Sequence, residues 1–329
     1  MSSPSLHRAV FSLCFAAGIA GCGGTLSTTG AGSVLPSRAS AVHRAAGWMS
    51  PAAKAAKNLL YVANPFEATI DVFTLRGLKY TQVGQIGDSN APDGMTTDAA
   101  GNLYVTDEGV ATEGPVAGDI KVYPKGSTQY SRIIVPANWV PFDIAVGKDG
   151  TLNVANIAPI GSFSPGSVSI YPPNANQPSR VLRLQNFQVY GIALHAQTPT
   201  IYVSYEDSGS SGHIAAFRRA RGKAVELGVS YAEPWGLLED GNDNLLACDG
   251  AGTIDVYAES TGKLTSQISV PNGALWLAFN SDRSRLFATN FNDVQILSYP
   301  SGTLVGTIDE SGWGKYDYPT GLAFWPPPR

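Results

Sequence analysis

Histidine occurs four times in this 329-residue chain and cysteine three times, which leaves little of the side-chain chemistry that metals and nucleophiles need. His7, His43, His195 and His213 stand far apart and form no HxH or HExxH pair, so no metal site is expected from histidine spacing. There is no GxSxG elbow and no glycine-rich loop ending in Gly-Lys-Ser/Thr, which removes the strand-to-helix serine hydrolases and the phosphate-cradling NTPases. Charged residues make up only 15% of the chain and the formal net charge is -4, so nucleic acid is not an expected partner. Cys14 and Cys22 lie near the N-terminus and Cys248 sits in the apolar run Leu-Leu-Ala-Cys, where a buried, inert thiol is expected.

What is abundant points the other way. The chain is 43% hydrophobic, with 36 glycines and 22 prolines, enough for a large core but too many breakers for a helical bundle. An all-β fold of short strands and tight turns follows. His7 and Arg8 precede an apolar run, Ala9 to Ala20, of the length of a secretory signal and too short to span a membrane as a helix. Ile19-Ala20-Gly21-Cys22 resembles the bacterial lipobox, in which the cysteine is lipidated and becomes the mature N-terminus. Residues 1–21 are therefore expected to be a lipoprotein signal peptide. Cys22 is expected to be a lipid anchor to a bacterial cell-envelope membrane, facing the periplasm or the exterior. If Cys14 leaves with the signal and Cys22 is acylated, Cys248 has nothing to pair with. Residues 22–57, small, polar and unpatterned, form an expected flexible tether with a reach of roughly 30 Å.

From residue 58 to 329 one pattern repeats. An apolar run ending in a polar residue occurs as Leu60-Tyr-Val-Ala-Asn64, Leu103-Tyr-Val-Thr-Asp107, Leu152-Asn-Val-Ala-Asn156, Ile201-Tyr-Val-Ser-Tyr205, Leu245-Leu-Ala-Cys-Asp249 and Leu286-Phe-Ala-Thr-Asn290, at spacings of 43, 49, 49, 44 and 41. Each is followed by a loop and a second alternating run such as Ile120-Lys-Val-Tyr123 or Ile254-Asp-Val-Tyr257. Period-two alternation of β-branched and aromatic residues means strand. A third strand follows a glycine turn, and a fourth carries a Gly-apolar-Ala signature: Gly94, Asp143, Gly191, Gly236, Trp276 and Gly321 hold its first position. Four strands in a period of this length form a propeller blade, so the expectation is a six-bladed β-propeller with four-stranded blades. The chain enters on the second strand of a blade and ends on "PTGLAF", a first strand, so the first blade is expected to be closed by the C-terminal strand.

Pro-x-Gly, an apolar strand, Gly-Asn-Leu-Tyr-Val-Thr-Asp and Ile-x-Val-Tyr together resemble the NHL-repeat and gluconolactonase-like group of six-bladed propellers, over residues 59–326. That resemblance implies, for the enzymes of the group, a divalent metal such as Ca or Zn at the top of the central pore, held by a glutamate, an asparagine and an aspartate from different blades. Asp93 of "PDG" matches the aspartate and would be the catalytic residue of a lactonase-type hydrolase. Aligning the six innermost strands places Asp93, Phe142, Tyr190, Trp235, Leu275 and Thr320 at one level of the pore mouth, a ring with one carboxylate. "PNG" at 271–273 lies three residues early for the asparagine motif, and "EGP" at 113–115 falls in a loop. The triad is not assembled, and the primary expectation carries no cofactor and no catalysis.

Three long loops, 107–119, 156–166 and 205–213, follow second strands and emerge on one face, beside Phe142, Tyr190 and Trp235. These three aromatics are the expected ligand-binding residues, with plugging of the pore as the other account of them. The functional expectation is a non-catalytic binding or assembly module taking a protein, peptide or glycan on its loop-rich face. On the opposite face the turn "FRRARGK" (217–223) presents four bases, which could meet anionic lipid head groups or simply be a solvated hairpin.

Overall fold

The computed structural model describes residues 47–87, 91–107, 118–136, 139–159, 165–184, 188–207, 211–231, 233–250, 252–290, 292–309 and 319–328. Cys22, the tether up to residue 46, and the centres of the three long loops (108–117, 160–164 and 208–210) lie outside them.

Six antiparallel sheets account for the repeat. Blade 1 runs outward from Leu322–Trp325 through Leu59–Asn64 and Thr69–Arg76 to Lys79–Gly87. Blades 2 to 6 begin on the inner strands Pro92–Thr97, Trp139–Val146, Gln188–Leu194, Leu237–Glu239 and Leu277–Phe279, and each continues outward in chain order. The strands are buried on both sides because alternate residues face different neighbours. In Leu59–Asn64, Leu59, Tyr61 and Ala63 pack toward Met95, Leu103 and Val105 of blade 2, whereas Leu60 and Val62 pack toward Phe287 and Ile296 of blade 6. That is why the second-strand runs are largely apolar on both faces and not alternately polar.

The C-terminal strand closes the ring as expected. Leu322 pairs with Val62, Ala323 with Tyr61, Phe324 with Leu60 and Trp325 with Leu59. Thr97 Oγ1 of blade 2 donates to the Phe324 carbonyl (2.6 Å), tying the closing strand to the next blade.

One element departs from the expected boundary. Residues 47–57, read as the end of a tether, are part of the described fold: Trp48–Met49 adds a fifth, outermost strand to blade 1, pairing with Gln85 and Gly84. A short helix, Pro51–Ala55, follows, capped by Ser50 Oγ, which accepts the Ala52 N–H. Lys125 of blade 2 donates to the Ala56 carbonyl (2.7 Å) and lies 3.4 Å from the Trp325 ring centroid. The folded part thus takes in residues from Gly47 on, because Ala53 finds a fully buried place that a small, patternless sequence did not announce.

Candidate functional site

The inner strands meet around the axis, and the repeat glycine exists for that approach. A Cβ on Gly94 would come 2.5 Å from the Asp143 Cα of blade 3, and one on Gly321 would overlap the Asp93 carbonyl oxygen of blade 2. Contacts of the same kind join Gly191 to Trp235 and Gly236 to Leu275, so the aligned ring of Asp93, Phe142, Tyr190, Trp235, Leu275 and Thr320 is a ring of neighbours. Second-strand hydroxyls stitch it. Thr106 Oγ1 donates to the Phe142 carbonyl (2.7 Å), and Ser204 Oγ donates to the Trp235 carbonyl (2.9 Å) while accepting the Gly191 N–H (2.7 Å).

Blades 3 and 6 break the glycine rule, and both exceptions point to the axis. Asp143 replaces the glycine of blade 3, whose second strand carries Ala155 where other blades have Thr106 or Ser204. Its carboxylate supplies the missing stitch: Oδ2 accepts the Ile192 N–H of blade 4 (3.0 Å) and Oδ1 the Ile144 N–H (2.8 Å). Burial pushes this carboxyl up to about 7, with the Ile192, Ile144 and Trp276 N–H groups pulling the other way. The Trp276 indole N–H faces the carboxylate without reaching hydrogen-bond geometry. Trp276, the second exception, was missed by sequence alignment because it occupies the glycine position and not the ring position.

Four aromatic rings therefore gather. Phe142 lies 5.3 Å from Tyr190, 6.5 Å from Trp235 and 5.5 Å from Trp276, centroid to centroid; Trp235 lies 5.9 Å from Tyr190 and 5.8 Å from Trp276. These separations are those of rings packed on one another. Phe142, Trp235 and Trp276 are buried, whereas Tyr190 is half-buried and turns its hydroxyl to Gln188 Oε1 (2.6 Å) and Glu206 Oε2 (3.2 Å). Trp235 donates its indole N–H to Glu233 Oε2 (2.9 Å).

Asp93 is buried at the same level, 4% exposed, and is the one carboxylate among the six aligned positions. Asn272 of "PNG" is an exposed turn residue with φ of 68°, and "EGP" lies outside the described residues. Among the described residues, no group of three His, Cys, Asp or Glu side chains that could hold a metal ion includes Asp93. Among the described residues one group of His, Asp and Glu side chains has metal-like proximity: His195, Asp243 and Glu259, in the short turns on the other side of the ring. His195 Nε2 stands 3.5 Å from Glu259 and 3.9 Å from Asp243. Its Nδ1, however, accepts the Gln197 N–H (3.0 Å), so a neutral His195 carries its proton on Nε2, toward Glu259. Ligation through Nε2 would have to displace that arrangement.

Other expectations resolve locally. Asn64, Asp249 and Asn290 each accept backbone N–H groups of the following turn, from Glu67, from Gly252 and Thr253, and from Asn292 and Asp293. Asp107 instead forms a buried ion pair with Lys121 (2.7 Å) and accepts the Ala91 N–H. Asn156 bonds Ser167 and Ser169 on the neighbouring strand. His213 bonds Asp207 and the Val229 carbonyl, and Cys248 is fully buried. A cleft of about 450 Å³ lies between blades 5 and 6, beside Asp240, Arg283 and Tyr299. Its Asp240 carboxylate is already engaged by Asn242, Asn244 and the Tyr299 hydroxyl.

The class this geometry defines is the six-bladed β-propeller. The chain is similar in fold to a chain of the nidogen/laminin complex, at a TM-score of 0.62 and 14% identity, with 81% of this chain and 98% of that one covered. It is also similar to the WD40 β-propeller domain of Doa1 (TM-score 0.55, 10% identity, covering 78% and 80%). A third likeness is to hydrazine synthase of Kuenenia stuttgartiensis (TM-score 0.57, 15% identity, covering 81% and 83%). No family model matches, and no curated protein does. At these identities the likeness is one of fold.

Proposed function

We propose that this protein is a non-catalytic binding or assembly module, lipid-anchored through Cys22 in the bacterial cell envelope, that takes its ligand on the loop-rich face. The observation that carries the reading is the pore mouth: four rings pack in one cluster at the level of the inner strands, and the Tyr190 hydroxyl and Trp235 indole N–H at its edge are held by Gln188, Glu206 and Glu233. Tyr190 and Trp235 are the residues that would touch a ligand, with Phe142 supporting them from below. Propeller folds host binding modules as well as enzymes, and one protein of similar fold is a chain of the nidogen/laminin complex.

The test sets this reading against a divalent-metal lactonase using Asp93. Purified protein is assayed for bound Ca and Zn and for lactone hydrolysis, before and after Asp93→Ala. Ligand capture from envelope extracts is compared between the parent and the Tyr190→Ala/Trp235→Ala double variant. Loss of capture in the double variant, with no Asp93-dependent hydrolysis, supports the module. Stoichiometric metal and hydrolysis that both vanish with Asp93 would replace it by the hydrolase.

A further inference from the structure

Charge is divided between the two ends of the ring. In an up-and-down blade the loop between second and third strands and the connection to the next blade emerge on one face, and the two remaining turns on the other. On the loop-rich face, the described loops and the strand ends beside them carry Glu206, Asp207, Glu233, Asp249, Asp293 and Asp309, all at least partly exposed. The bases there are Lys121, buried against Asp107, Arg183, over the Trp139 ring, and His213, against Asp207. Acidic groups crowd one another: the Asp309 charge adds to burial in raising the Asp293 carboxyl. The short-turn face carries acids as well, among them Asp149, Asp243 and Asp282, but adds the bases Lys148, Lys263 and, exposed in one turn, Arg218, Arg219, Arg221 and Lys223.

Two of the acidic groups are tied to the aromatic cluster, at half-buried Tyr190 and buried Trp235. The Tyr190 hydroxyl, which donates to Gln188, also stands 3.2 Å from Glu206 Oε2, Glu233 accepts from the Trp235 indole, and those rings stand 5.9 Å apart. Glu206, Tyr190, Trp235 and Glu233 form a continuous line, carboxylates outside and aromatics between. A half-buried carboxylate held in place by a ring edge can still accept from a guanidinium or ammonium on its other lone pairs, and the neighbouring π-system attracts the same cation.

We propose that the loop-rich face receives a Lys/Arg-rich segment of a partner protein, one basic side chain seating along the Glu206–Tyr190–Trp235–Glu233 line. This rests on the binding-module reading and narrows its partner. An anionic lipid surface or a nucleic acid is repelled by this face, and a neutral glycan would draw nothing from its charge.

The experiment measures the full chain against fluorescein-labelled octalysine and octaglutamate by anisotropy, at low and high salt. Octalysine is expected to bind, octaglutamate not, with affinity falling steeply as salt rises. Glu206→Gln with Glu233→Gln should weaken octalysine by about tenfold or more, whereas Asp149→Asn with Asp282→Asn, exposed carboxylates of the short-turn face, should not. Thermal melts of both pairs establish that they fold, and the salt series on the parent chain does not depend on any variant. Equal binding of the two peptides, salt-independent binding, or an unchanged affinity in the glutamine pair would overturn the proposal. Should the Tyr190→Ala/Trp235→Ala variant lose capture from envelope extracts while the glutamine pair keeps it, the binding module stands and the basic partner falls.

Discussion

Replacing Asp143 with asparagine probes the axis more sharply than removing any aromatic. Its carboxyl is buried and pushed from 3.8 up to about 7, chiefly by burial. At about 1.36 kcal/mol per unit, that displacement is worth about 4 kcal/mol. The sign follows from where the protons sit. Between the unfolded and folded values the native state holds the proton more tightly, so the contribution is full below about pH 4 and is lost as pH rises toward about 7. Asparagine removes the titration but keeps one acceptor for two N–H groups, leaving either the Ile144 or the Ile192 N–H poorly matched at about 1–3 kcal/mol. The variant should therefore be less stable than the parent near pH 4.5 and as stable, or more so, near pH 8. Urea unfolding followed by tryptophan fluorescence across this range reads the difference, in which other titrating groups cancel. Parallel stability curves for the two proteins, with no convergence or crossing, would refute the argument.

Deleting residues 319–329 removes buried Leu322, Ala323 and Phe324 and opens the Leu59–Asn64 edge; an insoluble or molten product is expected, and an unchanged melting temperature would contradict ring closure. Lys121→Met takes the counter-charge from the buried Asp107 carboxylate and should cost about 3–5 kcal/mol in denaturant unfolding, part of it recovered by adding Asp107→Asn, which removes the buried charge and keeps an acceptor for the Ala91 N–H. Burial pushes the Cys248 thiol well above its ordinary value, so iodoacetamide should label it only after unfolding, as mass spectrometry of native and denatured samples will report.

The propeller could be read from the sequence because its evidence is repeated: six apolar runs with a common spacing leave few other folds, and the closing strand announces itself by matching the first strand of every blade. Departures from the repeat were harder. Asp143 and Trp276 both occupy the glycine position, and an alignment built on that position treats them as imperfect copies; only the backbone shows that the exceptions project toward the axis and meet. The pairing of Asp107 with Lys121 across two strands looked like one more turn residue, since its blade neighbours Asn64 and Asn290 do cap turns. The segment 47–57 carries no alternation, and its docking depends on the outer strand of blade 1 and on Lys125 of blade 2, which the local sequence does not encode. The acidic character of one face was hidden for the same reason: carboxylates scattered along the chain become neighbours only when the blades close.

Site-specific photo-crosslinking in intact cells tests the central claim most directly, with the probe placed either at Asn292 on the loop-rich face or at Asn174 on the short-turn face, both exposed. The account predicts a discrete crosslinked partner from Asn292 that disappears with Tyr190→Ala/Trp235→Ala, and none from Asn174. Crosslinks from Asn174 alone, or a partner at Asn292 indifferent to the aromatic pair, would contradict it.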